Sequence, residues 1–152
     1  MRRIFFYVGA IALLYACGQS PRQQDDSTST TAEADRTVDG DLAGSYTYEK
    51  NGDTVALHLT IHDDKAMGHL TYALKEKDLN TGSFEGRVTD GILRADYTYL
   101  SEGQSSIRQV AFKVDGKTAV EGYADMEEKN GKFVFKDSTK LDFGEGLVLT
   151  KK

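Results

Sequence analysis

The sequence predicts an all-β domain, an antiparallel up-and-down meander of eight to ten strands that closes into a barrel. Two observations predict it. Short runs of alternating apolar and polar residues recur from residue 41 to residue 152, and four Asn-Gly or Asp-Gly pairs separate such runs, at 51–52, 90–91, 115–116 and 130–131. Both residues of these pairs accept the positive φ that a two-residue hairpin turn requires. Because no long crossover intervenes, consecutive strands pair, and closure removes exposed edges.

The chain begins with the pattern of a secretory signal peptide, which we assign to residues 1–16. Met1-Arg2-Arg3 is positively charged, and residues 4–14 form an uncharged apolar run. This run is shorter than the roughly 20 residues that span a bilayer. Its length and the charge that precedes it are typical of an exported protein.

Cys17 is the only cysteine and lies where the apolar run gives way to polar residues. Leu14, Ala16 and Cys17 resemble the lipobox of bacterial lipoproteins. The resemblance implies that Cys17 is acylated, becomes the new N-terminus and anchors the protein in the membrane. Two or three acyl chains, at about 0.8 kcal/mol per buried CH₂, make a stable anchor. The alternative is an ordinary signal peptide followed by a free thiol, and one cysteine excludes an intramolecular disulfide.

Residues 17–40 comprise this cysteine and a linker that we expect to be disordered. Residues 23–31 are all polar or charged. They contain no apolar side chain whose burial could offset the conformational entropy lost on ordering. Asp25-Asp26 resembles the acidic export signals of Bacteroidetes surface lipoproteins. We therefore expect an outer-membrane lipoprotein of the cell envelope. The sequence does not decide between the periplasmic and the cell-surface side of that membrane.

Residues 41–152 form the predicted β-barrel domain. Its strands are marked by apolar residues that alternate with polar ones, and the turns lie between the groups. The groups, in chain order, are Tyr46 and Tyr48; Val55, Leu57, Leu59 and Ile61; Leu70, Tyr72 and Leu74; Phe84 and Val88; Leu93, Ala95, Tyr97 and Tyr99; Val110, Phe112 and Val114; Val120, Ala124 and Met126; Phe133 and Phe135; and Leu141, Phe143, Leu147 and Leu149.

Two resemblances concern this domain. Gly44-Ser45-Tyr46 resembles the glycine-x-aromatic start of calycin-type barrels, the lipocalins and fatty-acid-binding proteins, which implies a calycin-like barrel. Residues 72–78 with 80–82, and residues 95–99 with 101–103, resemble small uncharacterised lipoproteins of Bacteroidetes. That family brings no known activity, so it implies a location and no mechanism.

The histidines do not have the spacing of a metal site. His58 and His62 lie on one face of a strand but about 13 Å apart along it, and no HxH or HExxH pattern is present. His69, on the next strand, could approach one of them. Together with Asp63 or Asp64, two histidines and a carboxylate could then form a metal site. We expect surface histidines, no metal and no cofactor.

The remaining polar groups give no catalytic pattern, so we expect a protein that is not an enzyme. Arg94 and Asp96 alternate on one outer face, with Glu85 and Arg87 on its neighbour, which predicts cross-strand ion pairs. Residues 101–108 are polar except for Ile107 and contain serines but no GxSxG. We interpret them as a loop at one end of the barrel, either a simple connection or a rim for recognition.

Aromatic residues are expected to fill the barrel interior. Phenylalanine needs no polar partner, whereas a buried tyrosine does. A barrel of about eight strands is just filled by side chains, which favours a solid core; alternatively, several inward tyrosines line a partly polar cavity. The candidate ligand-binding residues are Tyr46, Tyr72, Tyr97 and Tyr99.

The charge restricts the partners. The chain carries a formal net charge of −5, and removal of residues 1–16 removes Arg2 and Arg3 and no acid, which takes −5 to −7. An acidic domain argues against nucleic acid as a partner. We therefore expect a lipid-anchored envelope protein that binds a small apolar or amphipathic ligand. The alternative is a solid-cored protein-interaction module of the envelope, such as an accessory protein, a stress sensor or an inhibitor of a hydrolase.

Overall fold

The computed structural model describes residues 39–152. The predicted signal peptide, Cys17 and all but the last two residues of the predicted linker lie outside the described residues. Within residues 39–152, no helix is both long and apolar enough to cross a bilayer.

The described chain contains ten strands and two single-turn helices. The helix α1 is Asp39–Leu42, and a 3₁₀ turn is Ser138–Lys140. The strands β1 to β10 are, in order, Gly44–Lys50, Asp53–His62, Lys65–Ala73, Asn80–Thr89, Ile92–Ser101, Gln104–Val114, Thr118–Gly122, Met126–Lys129, Lys132–Phe135 and Val148–Lys151.

Eight of these strands form a closed antiparallel barrel, which confirms the predicted fold class. Strands β1 to β7 pair consecutively, and the C-terminal strand β10 joins β7 to β1. The hairpin of β8 and β9 lies outside this circle and touches β6 through one parallel bridge, Arg108 with Phe133. Closure leaves the long strands β1 to β6 with a partner on each side, so the barrel has little exposed edge.

The turns explain the register. The residues Asn51, Asp90, Glu102 and Asn130 have φ between 49° and 56°, and each precedes a glycine of positive φ. This is the backbone that a two-residue hairpin needs. The turn at 115–116 differs, because Asp115 instead accepts hydrogen bonds from the backbone N–H groups of Lys117 and Thr118, at 2.9 and 2.6 Å.

Three sequence-based expectations are wrong. Residues 104–108 belong to β6 rather than to an end loop, because the turn consists only of Glu102 and Gly103. In β7 the inward residues are Ala119 and Glu121, and the strand ends at Gly122, so the expected alternation of Val120, Ala124 and Met126 does not exist. Phe133 is 48% exposed on the outer hairpin and does not fill the interior.

The barrel interior is packed with the apolar side chains that the alternation predicted. Leu57, Leu93, Phe112 and Leu149 are completely buried. Next to α1, the hydroxyl of Tyr46 donates a 2.6 Å hydrogen bond to the carbonyl oxygen of Leu42. This bond ties α1 to the barrel core, in which Leu42 is buried, and satisfies a tyrosine that has no exposed surface.

Glycines allow neighbouring strands to come close where the sheet curls. Gly86 of β4 is paired with Ala95, and a Cβ at Gly86 would lie 2.0 Å from the carbonyl oxygen of Arg94. At Gly68 of β3, a Cβ would lie 1.7 Å from the carbonyl oxygen of His58. These positions require glycine for the space it leaves, and such positions are the usual sites of barrel curvature.

Replacing Gly86 with alanine is expected to destabilise the protein by at least about 2 kcal/mol, because the added methyl group overlaps backbone that cannot rotate away. Urea unfolding followed by circular dichroism measures the loss. Gly103→Asn is the control, since nothing lies within 4 Å of a Cβ there and asparagine tolerates its φ of 79°. Equal stability of the Gly86→Ala protein and the wild type would contradict the assigned packing.

Candidate functional site

Three of the four tyrosines predicted to contact a ligand come together inside the barrel. The rings of Tyr97 and Tyr99 are stacked with centroids 4.9 Å apart, and the ring of Tyr72 lies 6.1 Å from that of Tyr97. The hydroxyl of Tyr97 donates to the carbonyl oxygen of Leu70. Tyr46 is also buried, but its hydroxyl is engaged with Leu42, and it does not belong to this group.

Arg108 of β6 extends its side chain over these three rings. It is paired with Tyr97 across the β5–β6 ladder, so its side chain shares the inner face. The guanidinium carbon lies 5.0, 5.9 and 5.8 Å from the ring centres of Tyr72, Tyr97 and Tyr99. Distances below about 6 Å permit a cation–π attraction, which is stronger where water is excluded.

The guanidinium of Arg108 has unused hydrogen-bonding capacity. Its Nε is buried and has no hydrogen-bond partner. Within residues 39–152, no carboxylate forms an ion pair with it. A buried donor without a partner costs about 1–3 kcal/mol, so the aromatic rings compensate the charge of Arg108 only in part.

Glu121 of β7 brings a negative charge to the same interior. It is 4% exposed, and its Oε1 and Oε2 accept hydrogen bonds from the hydroxyls of Tyr72, at 2.6 Å, and Tyr123, at 2.9 Å. The tyrosines hold the carboxylate in place and supply the donors that water would otherwise provide. We name Tyr72, Tyr97, Tyr99, Arg108 and Glu121 the interior polar cluster.

The interior polar cluster borders a seam in the barrel wall. Strands β6 and β7 pair only from Ala111 and Gly122 towards the 115–117 turn, and beyond that point the two chains diverge. A void of about 50 Å³ lies in the seam, and Arg108 and Glu121 line it together with Met126 and Phe135 of the outer hairpin. A void of this size holds only a few water molecules.

The outer hairpin is held against this seam by its parallel bridge to β6, Arg108 with Phe133, and by two further polar contacts. The backbone N–H of Phe135 donates to Oε1 of Gln109, at 3.0 Å. The ammonium group of Lys132 lies 2.5 Å from a carboxylate oxygen of Asp96 and is partly exposed. The hairpin therefore has fewer backbone hydrogen bonds to the barrel than the barrel strands have to one another, and Phe133 is exposed on it.

Burial and charge keep the interior tyrosines protonated. Burial raises the pKa of Tyr72 well above its usual value; Glu121 raises it further, and Arg108 opposes the increase. Burial likewise raises the pKa of Tyr97, again opposed by Arg108. Burial, followed by the charge of Glu121, raises the pKa of Tyr123. These hydroxyls therefore act as hydrogen-bond donors at neutral pH, not as bases.

The outer face of β4 and β5 does not contain the expected cross-strand ion pairs. The register sets Arg87 opposite Arg94 and Glu85 opposite Asp96, so like charges face each other. Like charges directly opposite are unfavourable. Arg87 is instead paired with Asp64, and Asp96 with Lys132. A groove of about 570 Å³ lies beside these residues and includes Met67 and Ile107.

The histidines lie on the outer surface and are all exposed. The β2–β3 ladder places His58 directly opposite His69, whereas His62 is opposite Lys65 near the turn. Within residues 39–152, no group of three or more histidine, cysteine, aspartate or glutamate side chains is arranged to hold a metal ion.

No protein-family model, no curated protein and no solved structure matches this chain. The fold defines the class of protein: a closed eight-stranded antiparallel barrel with a charged and aromatic cluster inside it. Its function is therefore inferred from the residues of that cluster.

Two residues of the cluster, Arg108 and Glu121, were missed by the sequence analysis. The polar character of residues 101–108 predicts a loop at Arg108, although this residue lies in β6. The apolar Val120 predicts an inward side chain at 120, which would put its neighbour Glu121 on the outer face. The pairing register carried the signal: counting back from the Glu102-Gly103 turn pairs Arg108 with Tyr97, an inward residue.

Raising the pH above about 10 is expected to destabilise the protein, less steeply in a Tyr72→Phe variant. The unfolded tyrosine ionises near pH 10, whereas the folded pKa of Tyr72 is higher, so the unfolded state releases the proton first. The stabilisation is complete below pH 10 and is lost as the pH rises, by up to about 1.4 kcal/mol per pH unit for one group.

Urea unfolding at several pH values between 8 and 11 measures this dependence. Tyr72→Phe lowers the stability at pH 8, because Glu121 loses a donor, but its stability then falls less with pH than that of the wild type. The same slope in both proteins would show that Tyr72 does not resist ionisation in the folded state.

Proposed function

We propose that this protein is a non-enzymatic, lipid-anchored protein of the cell envelope whose barrel binds a small amphipathic ligand. The ligand's polar head group accepts hydrogen bonds from Arg108, and its apolar part lies against the tyrosine rings. The observation that carries this proposal is a partly buried arginine inside the barrel, whose guanidinium lies within 6 Å of three aromatic ring centres and whose buried Nε has no partner.

A buried arginine N–H group without a hydrogen-bond partner lowers the stability of the folded protein, unless a ligand supplies the partner. Arginine presents up to five N–H donors in a planar fork that matches carboxylate, phosphate and other oxygen-rich groups. The rings of Tyr72 and Tyr99 contribute cation–π attraction to the guanidinium without accepting hydrogen bonds from its N–H groups. A head group with acceptor oxygens supplies the missing partner and removes the penalty of the orphaned donor.

Glu121 restricts the kind of head group. Its carboxylate already accepts two hydrogen bonds from tyrosines, so it has little need of a ligand donor. Its negative charge inside the barrel opposes a second full negative charge nearby. A neutral head group with ester, amide or hydroxyl oxygens avoids this repulsion, whereas a carboxylate or phosphate gains an ion pair with the contacting Arg108 guanidinium that offsets it.

The ligand enters through the seam between β6 and β7. The void there is too small for an acyl chain, so binding requires the outer hairpin to move. The hairpin contributes Met126 and Phe135 to the seam and lies outside the circle of eight strands, so its displacement breaks its bridge to β6 at Arg108 but leaves the barrel closed. The apolar side chains of the hairpin then cover the ligand from outside.

The N-terminal sequence supports the envelope location. The lipobox resemblance at Leu14, Ala16 and Cys17 implies acyl chains that hold the barrel at a membrane. The outer membrane is the location we infer, and a barrel tethered there meets lipids, lipid precursors and their hydrolysis products. These are amphipathic molecules of the class that the interior polar cluster suits.

Replacing Arg108 with glutamine is expected to weaken ligand binding by at least about tenfold, since a hydrogen bond from a charged donor contributes roughly 1.5–3 kcal/mol. Isothermal titration calorimetry of the protein with monolaurin, a neutral amphiphile, and with dodecanoate, its anionic counterpart, measures the effect. Both amphiphiles are expected to bind the wild type, and Arg108→Gln is expected to weaken dodecanoate more than monolaurin, because only the carboxylate loses an ion pair.

Arg94→Gln is the matched control, because Arg94 lies one strand away on the outer face. It is expected to bind within twofold of the wild type. Equal affinity in the Arg108→Gln and Arg94→Gln proteins, or no heat of binding with either amphiphile in the wild type, would contradict the assigned binding site.

Replacing Cys17 with serine is expected to abolish metabolic labelling of the protein by a radioactive fatty acid and to release it from washed membranes. The reason is that a hydroxyl cannot replace the thiol in lipobox acylation, and no other cysteine is present. Persistent labelling of the Cys17→Ser protein would show that the anchor lies elsewhere. Unlabelled wild type would leave the alternative of an ordinary secretory signal.

A second candidate is a protein-interaction module of the envelope, such as an accessory protein, a stress sensor or a hydrolase inhibitor. It is favoured by the groove of about 570 Å³ on the outer face, which combines Met67 and Ile107 with the charges of Glu85 and Lys132. Met67 is 46% exposed. Methionine and arginine are enriched at protein interfaces, and Met67 and Arg87 both line this groove.

A further inference from the structure

His58 and His69 form a cross-strand pair on the outer surface of the barrel. The β2–β3 ladder aligns them directly, within nine consecutive residue pairs that fix the register. Both side chains are exposed and point away from the core, because the flanking residues Leu57, Leu59 and Leu70 are buried inside. Directly opposed side chains have Cβ atoms about 5 Å apart, so the two imidazole rings are neighbours.

Ser45 orients one of the two rings. It lies opposite His58 in β1, and its Oγ is 2.8 Å from Nδ1 of His58. In the tautomer that donates from Nδ1 to the hydroxyl, Nε2 carries a free lone pair. Metal-binding histidines commonly use their second nitrogen in this way, to hold the ring and to fix the tautomer.

We propose that His58 and His69 together bind one divalent zinc or copper ion on the outer face of the barrel. Imidazole nitrogen suits these ions. Two nitrogens at about 2.0–2.1 Å from a tetrahedral ion stand about 3.4 Å apart. Opposed residues have Cβ atoms about 5 Å apart, a spacing at which Nε2 of His58 and a ring nitrogen of His69 can share one ion while Ser45 keeps its contact with Nδ1 of His58.

The site is open, because its protein ligands number two. The described residues 39–152 contain no group of three or more side chains of the metal-binding types, so water or an exogenous ligand completes the coordination. An ion held by two ligands exchanges readily, in contrast to one in a closed structural site with four. This arrangement suits reversible capture of a metal ion at the cell surface or in the periplasm, independently of any ligand inside the barrel.

The test is isothermal titration calorimetry of the full chain with zinc chloride and with copper chloride. The protein carries Cys17→Ser, so that no free thiol competes, and no polyhistidine tag. One ion per chain is expected. His58→Ala and His69→Ala are each expected to weaken binding by at least about tenfold, since each removes half of the protein ligands. Ser45→Ala is expected to weaken it less, by up to about tenfold.

His62→Ala is the matched control, because His62 lies on the same strand and face as His58 but opposite Lys65. It is expected to leave the affinity within twofold of the wild type. The proposal is overturned if the wild type binds neither ion, if His69→Ala binds as tightly as the wild type, or if His62→Ala is as damaging as the other two. Circular dichroism verifies that each variant retains its sheet.

Discussion

The burial of opposite charges inside a narrow β-barrel is the constraint on which the proposed binding site depends. Glu121 and Arg108 both face an interior that is otherwise apolar and aromatic. A buried charge is costly unless hydrogen bonds or an opposite charge compensate it. Glu121 is compensated by the hydroxyls of Tyr72 and Tyr123, whereas Arg108 has aromatic rings and a donor without a partner. The carboxylate is therefore a satisfied part of the framework, and the guanidinium is the group that remains available.

The size of the barrel determines how a ligand could reach the Arg108 guanidinium. Eight strands enclose a space that side chains just fill, and the complete burial of Leu57, Leu93 and Phe112 agrees with this limit. Space for a ligand must therefore come from displacement at the wall. The seam between β6 and β7 is the place where the β6–β7 ladder ends and β6 is bridged to the outer hairpin at a single position. In the proposed binding mode, the barrel is the framework that positions Arg108, and the outer hairpin is the cover that moves.

The sequence was sufficient to predict the all-β class, the meander and most of the turns, because Asn-Gly and Asp-Gly pairs and period-2 alternation are local signals. Tyr72, Tyr97 and Tyr99 were identified for the same reason. Arg108 and Glu121 were not, since a charged residue at an inward position breaks the pattern on which the prediction rests. Alternation within one strand does not determine the register between neighbouring strands. For this reason the sequence did not predict that Arg87 faces Arg94 or that His58 pairs with His69.

The most direct test of the account is a crystal structure of the protein saturated with monolaurin. The account predicts that ester or hydroxyl oxygens of the head group lie within hydrogen-bonding distance of the Arg108 guanidinium. The acyl chain should contact the rings of Tyr72 and Tyr99, with Met126 and Phe135 displaced from the seam. A ligand bound only in the outer groove near Met67, with the seam unchanged, would contradict the account and favour a recognition surface on the outside of a solid barrel.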